Sequence, residues 1–220
     1  MKAKQSLAII GLLLAGTVAF TSCVQKNYYE ANPNNQGNNN NGSYSYTFDE
    51  EFNGADNYGW NFTDAADSAY ASIINGNYQY VDYSSAKSNM SVVSTGANTA
   101  GNFTVQTRLQ SNNMMGLIFG ASSSDNGYAL YIDGSGNYSL YKEGTGVAST
   151  VIIPSTPDGS AVKKGWNTIE VDQVNNNWTG YINGTQVFQV AARTVSGDRF
   201  GFKVLPGTIG YADYLIVNSN

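Results

Sequence analysis

The sequence predicts an all-β protein, a two-sheet antiparallel sandwich, on three observations. Short segments that alternate apolar and polar residues recur from Tyr44 onward, Phe103-Thr-Val-Gln-Thr-Arg-Leu109 being the cleanest. Clusters of Gly, Asn, Asp and Ser separate those segments, as turns between many short strands require. No stretch carries a helical period; Ala65-Ala-Asp-Ser-Ala-Tyr70 makes one turn at most.

The first element is not part of that sandwich. Residues 1–22 hold two lysines, Lys2 and Lys4, then the apolar run Leu7-Ala-Ile-Ile-Gly-Leu-Leu-Leu-Ala-Gly-Thr-Val-Ala-Phe20, then Thr21-Ser22 before Cys23. A charged start, a short apolar run and small residues before a cysteine predict a lipoprotein signal peptide. The run is too short for a spanning helix. Cys23 is the one cysteine of the chain and the expected lipidation point. Phe20 stands where a leucine is usual, and in this the segment resembles the loose lipoprotein signals of the Bacteroidetes. One acyl chain holds a membrane only marginally, so a diacylated or triacylated (palmitate-type) cysteine is the expected anchor. The alternative is an ordinary secretory signal followed by an incidental cysteine.

Residues 23–43 form the expected linker. The Asn-rich run from Val24 to Ser43 has no apolar period and cannot build a packed element. A flexible tether of that length reaches about 25 Å. Pro33, Gly37 and Gly42 interrupt it, which argues against an aggregating Asn tract.

Residues 44–220 are expected to be one β domain. Ser45–Phe48 opens it. Tyr70–Ile74 and Tyr78–Asp82 flank Asn75-Gly-Asn77 as a hairpin. Ser91–Ser94, Phe103–Leu109 and Gly116–Phe119 follow. Tyr128–Ile132 and Tyr138–Lys142 flank Asp133-Gly-Ser-Gly-Asn137, a second hairpin signal. Asn167–Asp172, Trp178–Ile182, Asn183-Gly184 and Gln186–Val190 come next, and Arg199–Val204 and Tyr211–Val217 close the chain. Leu130, Ile132, Leu140 and Ile182 set the core parity, so Tyr131, Tyr141 and Tyr181 face outward and Trp178 inward. Trp166 is a strand-end residue of uncertain face.

Composition excludes several chemistries. The chain has 0 histidines, which removes Ser-His-Asp and Cys-His sites and His-ligated zinc. Lipidation would also take its only thiol. The formal charge is −5, and more acidic without Lys2 and Lys4, so neither nucleic acid nor anionic lipid is an expected partner. What chemistry remains runs on carboxylates, tyrosine or lysine.

The order of several motifs resembles a known family. Tyr46-Thr-Phe-Asp-Glu-Glu-Phe52 with Trp60, Gly116-Leu-Ile-Phe119 with Asp125-Asn-Gly-Tyr-Ala-Leu-Tyr-Ile132, and Trp166-Asn-Thr-Ile-Glu-Val171 with Trp178-Thr-Gly-Tyr-Ile-Asn-Gly184 carry the likeness. Arg199-Phe-Gly-Phe202 and Ala212-Asp-Tyr-Leu-Ile-Val217 complete it. The set resembles the concanavalin A-like jelly roll, in the laminin-G-like or keto-disaccharide-hydrolase-like branch found in Bacteroidetes surface lipoproteins. That resemblance implies a jelly-roll sandwich. It leaves function open, since the fold hosts lectins, hydrolases and lyases.

Three sets of residues are candidates for function. Glu170-Val-Asp172-Gln-Val-Asn175 is similar to the Glu-x-Asp-x-x-Glu of laminarinase-type glycoside hydrolases, which implies Glu170 as nucleophile and Asp172 as its helper. A retaining mechanism needs a second carboxyl about 5–5.5 Å away, and Asn175 cannot supply that acid. The plainer expectation is that both are solvent-facing strand residues opposite Ile169 and Val171. Tyr131, Tyr141 and Tyr181 are the candidate ligand-binding set, since outward tyrosines can stack on sugar rings; they are also ordinary strand formers. Asp125 and Asp133 lie in oxygen-rich loops of the kind that hold Ca2+ in lectin-like members, yet Asx turns form without metal.

The expected protein is therefore anchored in the outer membrane or at the cell surface and carries a non-catalytic carbohydrate-binding module. A polysaccharide hydrolase or lyase, using carboxylates or a Tyr with a nearby Lys or Arg, is the first alternative. A structural or adhesin subunit with a protein partner is the second.

Overall fold

The computed structural model describes residues 46–84, 90–144 and 149–220; the expected signal peptide, Cys23 and the expected tether lie outside the described residues. Fifteen strands are described: β1 (Tyr46–Glu50), β2 (Phe62–Asp64), β3 (Ala69–Ile74), β4 (Asn77–Asp82), β5 (Met90–Ser94), β6 (Phe103–Ser111), β7 (Met114–Ala121) and β8 (Gly127–Asp133). They continue as β9 (Asn137–Glu143), β10 (Thr150–Pro157), β11 (Asn167–Val174), β12 (Asn177–Ile182), β13 (Thr185–Ala191), β14 (Arg199–Val204) and β15 (Thr208–Ser219). No helix occurs among the described residues, and Ala65–Ser68 is a turn.

The strands form two antiparallel sheets. The nine-stranded sheet runs β13-β12-β11-β6-β15-β4-β3-β2, with β1 also paired to β15; the six-stranded sheet runs β10-β9-β8-β7-β14-β5. The inner faces meet in one core. Phe103, Val105 and Leu109 of β6, Ile169 and Val171 of β11, and Trp178 and Ile182 of β12 face Leu117, Phe119, Leu130, Leu140, Phe200 and Phe202 of the other sheet. Each such side chain contributes about 1.5–3 kcal/mol relative to exposure. Trp178 packs edge-on against Phe119 at 5.2 Å and Tyr128 at 4.5 Å, inward as its parity predicts. Its indole N–H donates to Gln173 Oε1 at 2.8 Å, so the ring is buried without an orphaned donor.

Local chemistry sets the hairpins. Asn75-Gly76, Asn175-Asn176 and Asn183-Gly184 all have positive φ, between 51° and 77°, at both central positions of two-residue loops. Those are the conformations that Asn and Gly adopt at least cost and that match strand twist. Two strands escape the sequence pattern. β2 has three residues and no alternation to detect. β10 carries Pro154 and Pro157, which read as breakers; β10 tolerates them because it pairs only with β9, through two register shifts, at the edge of its sheet.

β15 is the central strand and has 12 residues. One flank pairs with β6; the other is shared by β4 at residues 208–212 and β1 at 215–219. Its pairing with β6 slips between Ala212 and Leu215. Three steps on β15 there match two on β6, from Leu109 to Thr107, which is a bulge. Ala212 and Leu215 both face the core, so Asp213 and Tyr214 both turn to the outer face. Buried Thr107 donates its hydroxyl to the Tyr214 carbonyl inside the bulge.

At the start of β15 the interior is less well satisfied. Tyr80, Asp82 and Thr208 are wholly buried, and Asp82 and Thr208 are direct cross-strand partners. Tyr80 Oη, Asp82 Oδ2 and Thr208 Oγ1 each lack a hydrogen-bond partner. Removing an orphaned buried hydroxyl at constant shape costs nothing and relieves a desolvation penalty. Thr208→Val is therefore expected to stabilise the domain by about 1 kcal/mol in urea unfolding; a loss of stability would show that the hydroxyl has a native partner.

Candidate functional site

The outer face of the nine-stranded sheet gathers polar side chains from four adjacent strands. Across β12, β11 and β6, Tyr181 pairs with Glu170 and Glu170 with Gln106. One row along, Thr179 pairs with Asp172 and Asp172 with Thr104. Alternation puts all of these opposite the core residues Ile169, Val171 and Val105. The β15 bulge adds Asp213 and Tyr214.

Hydrogen bonds link the middle of the cluster. Tyr214 Oη donates to Gln106 Oε1 at 2.8 Å, and Gln106 Nε2 donates to Glu170 Oε2 at 2.5 Å. Arg108 pairs with Asp213 at 3.3 Å and lies over the Trp166 ring at 5.1 Å. Glu170 and Asp172 stand two residues apart on the same face of β11, so each lies in the field of the other's charge. Burial raises the Glu170 pKa. Burial, and then the neighbouring Glu170 charge, pushes Asp172 up to about 7. Asp172 Oδ1 has no hydrogen-bond partner in the protein. Burial also raises the Tyr214 phenol to about 12, so it stays a donor near neutral pH.

The pair is thus a hydrogen-bonding unit with both donor and acceptor capacity at neutral pH. A hydrolase dyad is geometrically different. Asn175 is not on the strand at all: it is the first turn residue between β11 and β12, with φ 51°. A carboxyl there would belong to the hairpin loop rather than to the row of Glu170 and Asp172.

The three tyrosines do not share a surface. Tyr181 belongs to the face just described. Tyr131 and Tyr141 are on the outer face of the six-stranded sheet, edge to face at 5.9 Å. Tyr131 is a correction to its expected role as an open stacking platform. It is 3% exposed and packs with Met90, Ile118, Ala121 and Ala129 in a second apolar cluster. Its ring lies over Gly116, where a Cβ would come within 2.6 Å of it. Its hydroxyl donates to Glu143 Oε1 at 2.9 Å, and Lys203 Nζ pairs with Glu143 Oε2 at 2.6 Å. This is the arrangement of tyrosine and nearby lysine that elimination chemistry uses. Glu143 is also 3% exposed, however, and burial holds the Tyr131 pKa well above its usual value, so the phenol makes a poor base.

The rim loops are self-satisfied. Asp133 accepts hydrogen bonds from the Ser135 and Asn137 backbone and from Asn137 Nδ2. Partial burial raises its pKa, but those bonds outweigh it and the net shift is downward. Asp125 accepts from Ser123 Oγ. Among the described residues no three His, Cys, Asp or Glu side chains are grouped to hold a metal.

Sequence reasoning missed Gln106, Arg108, Tyr214, Glu143 and Lys203. The parity of β6 contains Gln106 and Arg108, since both alternate with Val105, Thr107 and Leu109. Nothing in the sequence marks Tyr214, because alternation counted from Ala212 and from Leu215 gives opposite answers.

Comparison with known proteins gives a family and a fold. A family model described as a 3-keto-alpha-glucoside-1,2-lyase-like domain matches residues 47–211. No curated protein matches the chain. A prokaryotic beta-1,3-1,4-glucanase (lichenase) derived from a mouse hindgut metagenome superposes with TM-score 0.51 at 11% identity, over 79% of this chain and 98% of that one. The carbohydrate binding module CBM66 from Bacillus subtilis gives TM-score 0.42 at 16% identity, over 81% and 94% of the two chains. The Bacillus licheniformis beta-glucanase gives 0.45 at 11% identity, over 79% and 98%. The likeness to the lichenase shows a shared jelly-roll sandwich.

The carboxyl pair makes stability depend on pH. The folded state keeps a proton that the unfolded chain releases from the ordinary Asp value of 3.8 upward, until about 7 for Asp172. A raised carboxyl pKa therefore contributes stability at low pH that is lost as pH rises through that window. The melting temperature is expected to fall between pH 5 and pH 7.5, and Asp172→Asn to flatten that fall. An unchanged slope in the variant would refute the raised Asp172 pKa.

Proposed function

The chain belongs to the family of 3-keto-alpha-glucoside-1,2-lyase-like domains, and on that premise we propose that it is a carbohydrate-binding protein held at a membrane surface through Cys23. The binding site is the outer face of the nine-stranded sheet. One observation carries this reading: Tyr181, Glu170 and Gln106 stand side by side on three adjacent strands. A sugar ring presents C–H faces to an aromatic ring and hydroxyls to a carboxylate and an amide, so an aromatic beside paired acceptors and donors is the matching surface. Because position 175 is an asparagine and stands in the turn, the third carboxyl of the hydrolase motif is missing, and the reading is of binding rather than hydrolysis. The leader and the Asn-rich run support display: acyl chains on Cys23 hold the protein, and the tether lifts the domain clear of the headgroups.

Affinity electrophoresis against a panel of soluble polysaccharides tests the binding. At least one is expected to retard the protein, and Tyr181→Ala to weaken retention at least about fivefold. Glu170→Gln preserves hydrogen bonding, so retention is expected to survive it; a turnover activity abolished by the same change would establish an enzyme instead. Retardation by nothing in the panel would sink the reading. For the anchor, Cys23→Ser is expected to move the protein from the membrane fraction to the soluble fraction of its host. A variant that stays with the membrane would refute lipidation at Cys23.

A further inference from the structure

We infer that the glycan held on this face is an extended, uncharged chain of at least four sugar residues that crosses the strands diagonally from Tyr181 to Tyr211; this rests on the binding reading above. The polar face does not stop at Glu170 and Gln106. Tyr214, brought out by the bulge, fixes Gln106 through its hydroxyl. Beyond it on β15, Tyr211 faces outward next to core-facing Ala212, and Gln79 Nε2 of β4 donates to its hydroxyl at 2.9 Å. Tyr211 pairs with Gln110 on β6, four residues along the strand from Gln106. Tyr181 and Tyr211 are thus three strand spacings and four residues apart, about 20 Å across the sheet. A disaccharide reaches roughly half of that and touches one tyrosine at a time. A longer chain engages both.

Charge decides the kind of chain. Glu170, Asp172 and Asp213 put three carboxyls on this face. The facing cation is Arg108, and Asp213 already pairs with it. Uronate or sulfate groups would meet like charge at close range and find no second cation among the described residues of these rows. Neutral hydroxyls meet the carboxyl and amide groups of Glu170 and Gln106 without that repulsion.

The test is calorimetric titration with cello- and laminari-oligosaccharides from disaccharide to hexasaccharide, and with oligogalacturonides of the same lengths. Affinity for a neutral series is expected to rise about tenfold or more between disaccharide and tetrasaccharide, and to level off after that. Tyr211→Ala is expected to remove the gain with length and leave disaccharide binding at the Tyr181 end, in a protein that still unfolds cooperatively on heating. Gln79→Ala, which releases the Tyr211 hydroxyl, gives a milder version of the same loss. Affinity independent of length, tighter binding of oligogalacturonides, or no binding of either neutral series would overturn the inference. Polysaccharide retention in the electrophoretic panel alongside any of these outcomes would leave the binding reading standing, whereas a panel without retention removes both.

Discussion

The architecture depends on how β15 is paired. A sheet this wide needs a long strand at its middle, and β15 supplies one, with β6 on one flank and β4 and β1 sharing the other. The extra residue between Ala212 and Leu215 is a bulge, which bends the strand and raises its local twist. It keeps Ala212, Leu215 and Val217 in the core and turns two consecutive side chains outward. The Thr107 hydroxyl serves the Tyr214 carbonyl where the ladder is interrupted, so the bulge leaves no buried carbonyl stranded there.

The polar face follows from that one irregularity. Without the bulge, Asp213 and Tyr214 would point to opposite sides, and Gln106 would lose either its donor or its neighbouring ion pair. With it, a tyrosine orients an amide, the amide orients a carboxyl, and the charge of that carboxyl helps to raise the pKa of the next one on its own strand. The two sheets therefore do different things on their outer faces. The six-stranded sheet buries small and apolar residues around a Glu143–Lys203 pair. The nine-stranded sheet keeps Glu170, Asp172, Gln106 and Tyr181 partly exposed to solvent. Burial rather than residue type separates Tyr131 from Tyr181, and it moves the candidate site from one sheet to the other.

Most of the strands were legible because β-alternation is local. Phe103–Leu109, Tyr128–Ile132 and Trp178–Ile182 each announce which side faces the core, and Trp178 and Leu130 lie there. β10 was not legible, since its two prolines are acceptable only at an edge, and being an edge is a property of the whole sheet. Asn175 was open to misreading for a related reason. As a motif position it continues a strand; as a turn residue with positive φ it ends one, and the ladder between β11 and β12 decides.

By itself the sequence determined the all-β class, the turns and the inward set, because period-two alternation and Asn-Gly turn chemistry act between near neighbours. It also determined the absence of histidine chemistry and of a carboxyl at position 175, which are matters of composition. Tertiary structure alone decided which outward residues meet: Gln106 with Tyr214, 108 positions apart, and Glu143 with Lys203, 60 apart. It alone decided that Tyr131 is sealed and Tyr181 is not. Pairing across sheets and burial by distant segments depend on strand order, and no local pattern encodes strand order.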